Sequence, residues 1–198
     1  LMGKRSIKHD FMPSVYVFPG GRVDRCDSYV KYTGELSKRT EMILETAFTA
    51  RKARALVLAS IRETYEETAL MIGKNESKNT TSKSIWNDFQ KAGITPSLDG
   101  IEVFGRAITP PHRHKRFDAW FFIKNIKTPK VPDIFDTAEL EDVAWFTLEQ
   151  IWELNLQRAT KMMLKVLEEY LNYKSPPPYI FFSRNESGKF ITDTYPKA

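Results

Sequence analysis

The chain has 198 residues, 41% hydrophobic and 28% charged, enough to bury one core and too few for two full-sized domains. Its 13% of aromatic residues argues against a disordered or low-complexity chain, and no apolar run approaches the ~20 residues needed to span a bilayer. Thirty Lys and Arg against twenty-five Asp and Glu leave +5, which favours an anionic small-molecule partner without requiring nucleic acid.

Cys26 stands alone, so neither an internal disulfide nor the paired thiolates of structural zinc can form, and a reducing cytoplasm is the expected compartment. The sequence opens on Leu1 and enters a strand-like stretch at once. The true N-terminus and any targeting segment are left open.

Val15–Phe18 reads as a short strand broken by Pro19-Gly20-Gly21, residues that permit a tight backbone-lined turn. Asp24 to about Thr40 is polar and irregular. Glu41–Ile72 then carries helical periodicity without Pro or Gly, as one long helix or two in succession. Gly73–Ser84 has the composition of a surface loop, and Ile85–Ala92 that of a short amphipathic helix ended by Gly93. Ile101–Ile108 and Phe117–Ile126 are β-rich runs, predicted to be antiparallel neighbours, separated by the basic loop Thr109–Arg116. Val143–Phe146 predicts a strand, Leu148–Leu154 a short helix, and Leu156–Tyr173 a long one stopped before Pro176. A terminal hairpin, Tyr179–Phe182 and Lys189–Thr192, is expected at a sheet edge. Interleaved strands and helices point to a single α/β or α+β layered domain over 1–198.

The most informative segment is Ile61-Arg62-Glu63-Thr64-Tyr65-Glu66-Glu67-Thr68-Ala69-Leu70. At 100° per residue Glu63, Glu66 and Glu67 share one helical face, while Leu58, Ile61, Tyr65, Thr68 and Ile72 form the opposite stripe that anchors the helix to the core. Glu63 and Glu67 are like charges four residues apart, an arrangement costing about 0.2–0.5 kcal/mol unless something neutralises it. Arg62 can reach Glu66. A divalent cation such as Mg²⁺ or Mn²⁺ neutralises more, since it suits oxygen-only ligands. A lone acidic triplet is ordinarily a solvated face. Here Leu56, Ala59 and Leu70 continue the face at both ends, which sets the acids in a partly apolar surface.

These residues resemble the Nudix hydrolases, whose box is a Gly, a loop, and a helix reading R-E-U-x-E-E-x-G-U with U apolar. Gly20-Gly21 supplies the opening, and Arg62, Glu63, Glu66, Glu67 and Leu70 match. Thr64 replaces the first apolar residue, Ala69 replaces the closing Gly, and a long insertion, about residues 25–54, separates the opening from the helix. Counting back from Arg62, the box's additional Glu falls on Arg54, so that acid is absent or comes from the insertion. Tyr16-Val17-Phe18-Pro19-Gly20-Gly21, the long spacer, and Arg116-Phe117-Asp118 ahead of Phe121-Phe122 are similar to the peroxisomal coenzyme A diphosphatase branch and its bacterial relatives.

The resemblance implies a Nudix-type α/β/α sandwich with a central mixed sheet, and hydrolysis of a nucleoside-diphosphate-linked compound with Mg²⁺ or Mn²⁺. Coenzyme A or acyl-coenzyme A is the leading substrate; ADP-ribose, NADH, capped RNA and an inactive nucleotide-binding module are the alternatives. It also implies Glu63, Glu66, Glu67 and the carbonyl of Gly21 as metal ligands, with Glu66, Glu67, Glu139 and Arg62 in the catalytic set. Glu139 is a candidate to bind metal or deprotonate water, with Glu141 and Asp142 as rivals; Arg62 is read as an orienting residue. In His112-Arg113-His114-Lys115-Arg116, Arg113 and Arg116 are candidate phosphate contacts, joined by Arg106 on the preceding strand, against the alternative of a solvated basic loop. Cys26 is read as a passive thiol. The expected partner is a small-molecule nucleotide in preference to nucleic acid, with no membrane, and a homodimer is the assembly to test.

Overall fold

The two β-rich runs flanking the basic loop pair as expected and become the heart of a mixed sheet. The computed structural model describes residues 1–7, 13–76, 85–112, 114–127, 134–186 and 188–196. Its strands are β1 (Met2–Arg5), β2 (Tyr16–Val17), β3 (Gly73–Asn75), β4 (Ile94–Pro96), β5 (Ile101–Ile108), β6 (Asp118–Lys124), β7 (Leu140–Ala144), β8 (Ile180–Glu186) and β9 (Lys189–Tyr195). Its helices are α1 (Lys38–Glu45), α2 (Ala50–Thr68), α3 (Trp86–Lys91), α4 (Leu148–Trp152) and α5 (Arg158–Asn172), with a 3-10 turn at Arg25–Ser28.

The four-stranded sheet runs β6-β5-β8-β9. β5 is antiparallel to β6 and parallel to β8, and β8 is antiparallel to β9. A parallel pair needs a long crossover, and the chain from β6 through α5 supplies it. One sheet face carries Val103, Trp120 and Phe122 against Ile43 and Leu44 of α1 and Val57, Leu58 and Ile61 of α2. The other carries Phe104, Phe121 and Phe181 against Met163 and Val166 of α5. This is the expected α/β/α sandwich. A second, antiparallel sheet, β2-β1-β7, is built with a core of Met2, Ile151, Leu156 and Leu164. Among the described residues no helix is long and apolar enough to cross a membrane.

Four expectations are corrected in part. Of the two forms open for Glu41–Ile72 the chain takes two helices in succession, parted at Thr46–Thr49 where Phe48 swings onto the Trp120 ring at 5.4 Å, but α2 ends at Thr68 and not Ile72 because Ala69 takes φ +60°. The strand expected at Val143–Phe146 begins earlier, at Leu140, which is buried and pairs with Arg5 of β1. Gly73–Asn75, read as the start of a loop, pairs with β4, while 77–84 lie outside the described residues. The terminal hairpin is longer than expected, and β8 is interior; β9 alone forms that edge.

Candidate active site

Helix α2 is seated by the stripe its sequence predicts. Leu58, Ile61 and Thr68 are buried, and Tyr65 packs edge-on to Phe89 at 5.2 Å. The opposite face therefore carries Glu63, Glu66 and Glu67 toward the loop that follows β2. That loop holds them by backbone: Arg22 N–H donates to Glu63 Oε1 at 3.0 Å and Gly20 N–H to Glu67 Oε2 at 2.8 Å. A Cβ at Gly21 would fall on the Glu63 carboxylate, so only glycine permits this approach.

Arg62 is the hub of the cluster. Its Nε and Nη2 donate to the two oxygens of Asp27 at 2.9 and 3.0 Å, and Nη1 donates to Glu63 at 2.9 Å and Glu66 at 2.6 Å. Nη2 also donates to the Arg22 carbonyl at 2.6 Å. Burial alone would lower the guanidinium's pKa; the hydrogen bonds and charge of Asp27, with Glu63 and Glu66, more than offset it, and Arg62 stays protonated.

Asp27 is the residue that sequence reasoning missed. It is 1% exposed, at the end of the 3-10 turn, and also accepts from Trp86 Nε1 at 3.2 Å and Asp24 N–H at 2.8 Å. A signal existed: Asp24-x-x-Asp27 is a capping-box spacing, with the Asp24 side chain accepting from Cys26 N–H at 2.7 Å. Asp27 is thus an acid supplied by the insertion, directed at Arg62. Cys26 beside it is the passive thiol expected, pushed up to about 12 by burial first and by Asp24 and Asp27 next.

Glu67 has the most perturbed carboxyl of the face. Burial pushes it up to about 8; the Gly20 N–H pulls it down, Glu139 and Glu63 push it up, and Arg5 pulls it down. Glu66 is also raised, by burial first, against the pull of Arg62 and with a push from Glu63. Among the three acids considered after residue 138, Glu139 is the one whose charge bears on Glu67. Its turn is tied to the end of α2, since Thr137 Oγ1 donates to the Glu67 carbonyl at 3.2 Å and accepts from Glu139 N–H at 3.3 Å. Glu141 pairs with Lys4 across the β1–β7 ladder, and Asp142 accepts from Lys4 Nζ at 3.4 Å and Tyr16 Oη at 3.5 Å.

The basic loop closes at its base, where Thr109 N–H donates to the Phe117 carbonyl at 2.9 Å and Phe117 N–H to Thr109 Oγ1 at 3.1 Å. The Arg22 guanidinium lies 5.8 Å from the Phe117 ring centre, which brings this base beside the Gly20–Arg22 loop. Arg116 and His112 are exposed; Arg113 lies outside the described residues. Arg106 is engaged within the sheet. It makes a two-pronged ion pair with Asp118 at 2.8 and 2.7 Å, and its guanidinium sits 4.6–4.8 Å from the rings of Trp120, Phe182 and Tyr195. That makes it a strut of β5–β6.

The same architecture occurs in a solved structure, a NUDIX hydrolase from Alicyclobacillus acidocaldarius, with a TM-score of 0.64 at 24% identity over 89% of each chain. This chain has the Nudix hydrolase fold. Two curated proteins are similar in sequence: nudix hydrolase 7 of Caenorhabditis elegans, 24% identical over 91% of this chain, and the acyl-coenzyme A diphosphatase NUDT19 of Xenopus laevis, 23% identical over 98% of it. The chain spans 53% and 63% of the length of these two homologues. No protein-family model matches the chain.

In the Nudix fold described here, the two parts of the box, Gly20-Gly21 and Arg62–Leu70, meet despite the insertion between them. The donor set fits a divalent cation: the carboxylates are hard oxygen donors, Gly21 leaves room for Glu63 against the backbone, and Glu67 is buried beside two like charges. Among the described residues no three His, Cys, Asp or Glu side chains are yet placed to hold a metal ion together. Glu63 and Glu66 instead turn toward Arg62, and Glu67 toward Gly20.

Proposed function

We propose that this chain is a metal-dependent hydrolase that cleaves the diphosphate of a nucleoside-diphosphate-linked substrate, with coenzyme A or acyl-coenzyme A preferred. The observation that carries the reading is the convergence of Glu63 and Glu67 on the Gly20–Arg22 loop, with Glu66 tied to the same cluster through Arg62 and the charge of Glu139 bearing on Glu67. Glu63, Glu66, Glu67 and the Gly21 carbonyl would hold Mg²⁺ or Mn²⁺. Such an ion, when bound, withdraws charge from the diphosphate oxygens and orients water.

The chain's own residues do the rest. Arg62 keeps Glu63 and Glu66 at fixed separation, and its anchor on Asp27 keeps it from following the substrate away. Glu139, exposed and with its charge bearing on Glu67, accepts the proton of the attacking water, whose oxygen bonds to one phosphorus as the bridging P–O bond breaks. Arg116 and the neighbouring Arg113 meet a phosphate of the substrate from the basic loop. For coenzyme A the products are 3′,5′-ADP and a phosphopantetheine. Support for this substrate is the resemblance of the long-spacer architecture and the printed activity of the Xenopus laevis relative.

Product chromatography on coenzyme A, acyl-coenzyme A, ADP-ribose, NADH and capped RNA, with and without Mg²⁺ or Mn²⁺, tests this. Cleavage should require metal and should fall by roughly 10²–10³-fold in Glu66→Gln and Glu67→Gln. Coenzyme A should outpace dephospho-coenzyme A, with the difference shrinking in Arg116→Ala. No cleavage, together with a nucleotide that raises the melting temperature, would establish a binding module instead.

A further inference from the structure

The insertion also builds a cleft on the other side of Asp27 from the acids. Between the 3-10 turn and the first half of α2 lies a cavity of about 250 Å³. Arg51, Arg54 and Tyr32 supply its polar wall, and Val30, Ala55 and Leu58 its apolar one. Arg51, Arg54, Ala55 and Leu58 recur at helical spacing, so one face of α2 lines the cleft over two turns.

Neither arginine of this cleft has an ion-pair partner among the described residues. Asp27 also lines it, but both its oxygens are taken by Arg62, with Trp86 and the Asp24 N–H as further donors. The Arg51 guanidinium stands 4.6 Å from the exposed Tyr29 ring. The first turn of α2 contains no acid, and Thr49 gives it no side-chain cap, so the positive end of the helix adds to the arginines. Two arginines three residues apart on one helical face, both lining the cleft, suit a phosphate dianion, since each presents a fork of N–H donors. The apolar wall asks for more than an inorganic ion. The volume, below the ~300 Å³ of usual small-molecule pockets, matches a small ligand.

We propose that this cleft is a second ligand site, separate from the acidic face, for a phosphate monoester with a small aromatic or apolar body. Arg51 and Arg54 hold the phosphate, and the ring lies against the half-buried Val30 and Tyr32. The proposal does not rest on the hydrolase reading, and its test involves no turnover.

Calorimetry on the full chain in chelator, at constant ionic strength, compares inorganic phosphate with phenyl phosphate. Metal-free conditions keep phosphate off the acids. Phenyl phosphate should bind with one-to-one stoichiometry and about fivefold tighter than inorganic phosphate, the gain coming from the buried ring. Arg54→Gln should weaken it about tenfold and Arg51→Gln/Arg54→Gln further, while Lys52→Ala, an exposed neighbour outside the cleft, leaves it unchanged. Thermal unfolding confirms that each variant is folded. The proposal is overturned by no saturable binding at about 10 mM ligand, by equal affinity for the two anions, or by a loss in Arg116→Ala that matches the loss in Arg54→Gln.

Discussion

Helix α2 carries two surfaces of opposite sign, each at the end where the helix dipole disfavours it. Its first half presents Arg51, Lys52 and Arg54 and no acid in the first turn; its second half presents Glu63, Glu66 and Glu67 and no base in the last. A charge placed this way within a terminal turn forgoes about 0.3–1 kcal/mol relative to the reverse order. The helix tolerates them because its core stripe is seated well: Ala53, Val57, Leu58 and Ile61 are all at most 2% exposed. The two halves differ in how their charge is answered. Glu63 and Glu66 are wired to Arg62 and through it to buried Asp27, and Glu67 to the Gly20 N–H, whereas the arginines meet an aromatic ring and open space. Local stability is given up at both ends of one element, and both ends are where ligands of opposite charge are proposed.

The sharpest way to break this contrast is Arg62→Ala. It would strand Asp27, 1% exposed, without its counter-charge and leave Glu63 and Glu66 to repel each other. The expected loss is about 3–5 kcal/mol in urea unfolding, with the m-value unchanged. Adding Asp27→Asn to Arg62→Ala should recover part of it, because the stranded charge is then gone. A loss under about 1 kcal/mol would mean the hub behaves as a surface ion pair.

The acidic half should also make metal-free stability depend on pH. In the unfolded chain Glu67 titrates near 4.5; in the fold, burial holds it near 8. Below the lower value both states are protonated and stability is at its full level. Between the two, the unfolded chain releases the proton while the folded chain keeps it, so stability falls as pH rises, by at most about 1.4 kcal/mol per pH unit, and levels off above 8. Glu67→Gln in chelator should flatten that slope, and Mg²⁺ should stabilise the native protein more at pH 8 than at pH 5. A slope unchanged by the substitution would place the titrating group elsewhere.

The end of the acidic half offers a smaller effect. Ala69 sits at φ +60° where α2 stops, its N–H bonded to the Tyr65 carbonyl at 2.8 Å. A left-handed conformation costs an L-residue about 1–2 kcal/mol, and glycine's extra unfolded-state entropy returns some of it. Ala69→Gly should therefore raise stability by roughly 0.5–1 kcal/mol. A destabilised variant would show that the Ala69 methyl packs better than its backbone suffers.

What the sequence makes legible follows the range of the interactions. The acidic face is read within ten residues, because helical spacing alone aligns Glu63, Glu66 and Glu67. The β5–β6 pair is read because two β-rich runs flank one loop. Asp27 is not, because its partner Arg62 lies 35 residues away and only the folded insertion joins them. The start of β7 at Leu140 is set by pairing with β1, at the other end of the chain, and the seat of β8 beside β5 needs a crossover that no local period records. In the sequence Arg106 reads as one more cation near the basic loop. Its Asp118 partner and three rings are contacts between strands, visible only once the register is known.

The basic half can be probed where nothing but the dipole is at stake. Lys52 lies in the first turn of α2, exposed and outside the cleft, so Lys52→Glu turns an unfavourable charge into a favourable one without touching Arg51 or Arg54. The expected gain is about 0.3–1 kcal/mol at low salt, fading toward zero at 1 M salt, where the screening length drops to about 3 Å. The mirror change at the other end, Glu66→Lys, gains a similar dipole term but loses the 2.6 Å contact with Arg62, so it should come out destabilising. Opposite signs for the two reversals are what a wired acidic half and an unanswered basic half require. If Lys52→Glu also destabilises, the first turn of α2 already holds a partner for its positive charge, and the asymmetry between the halves disappears.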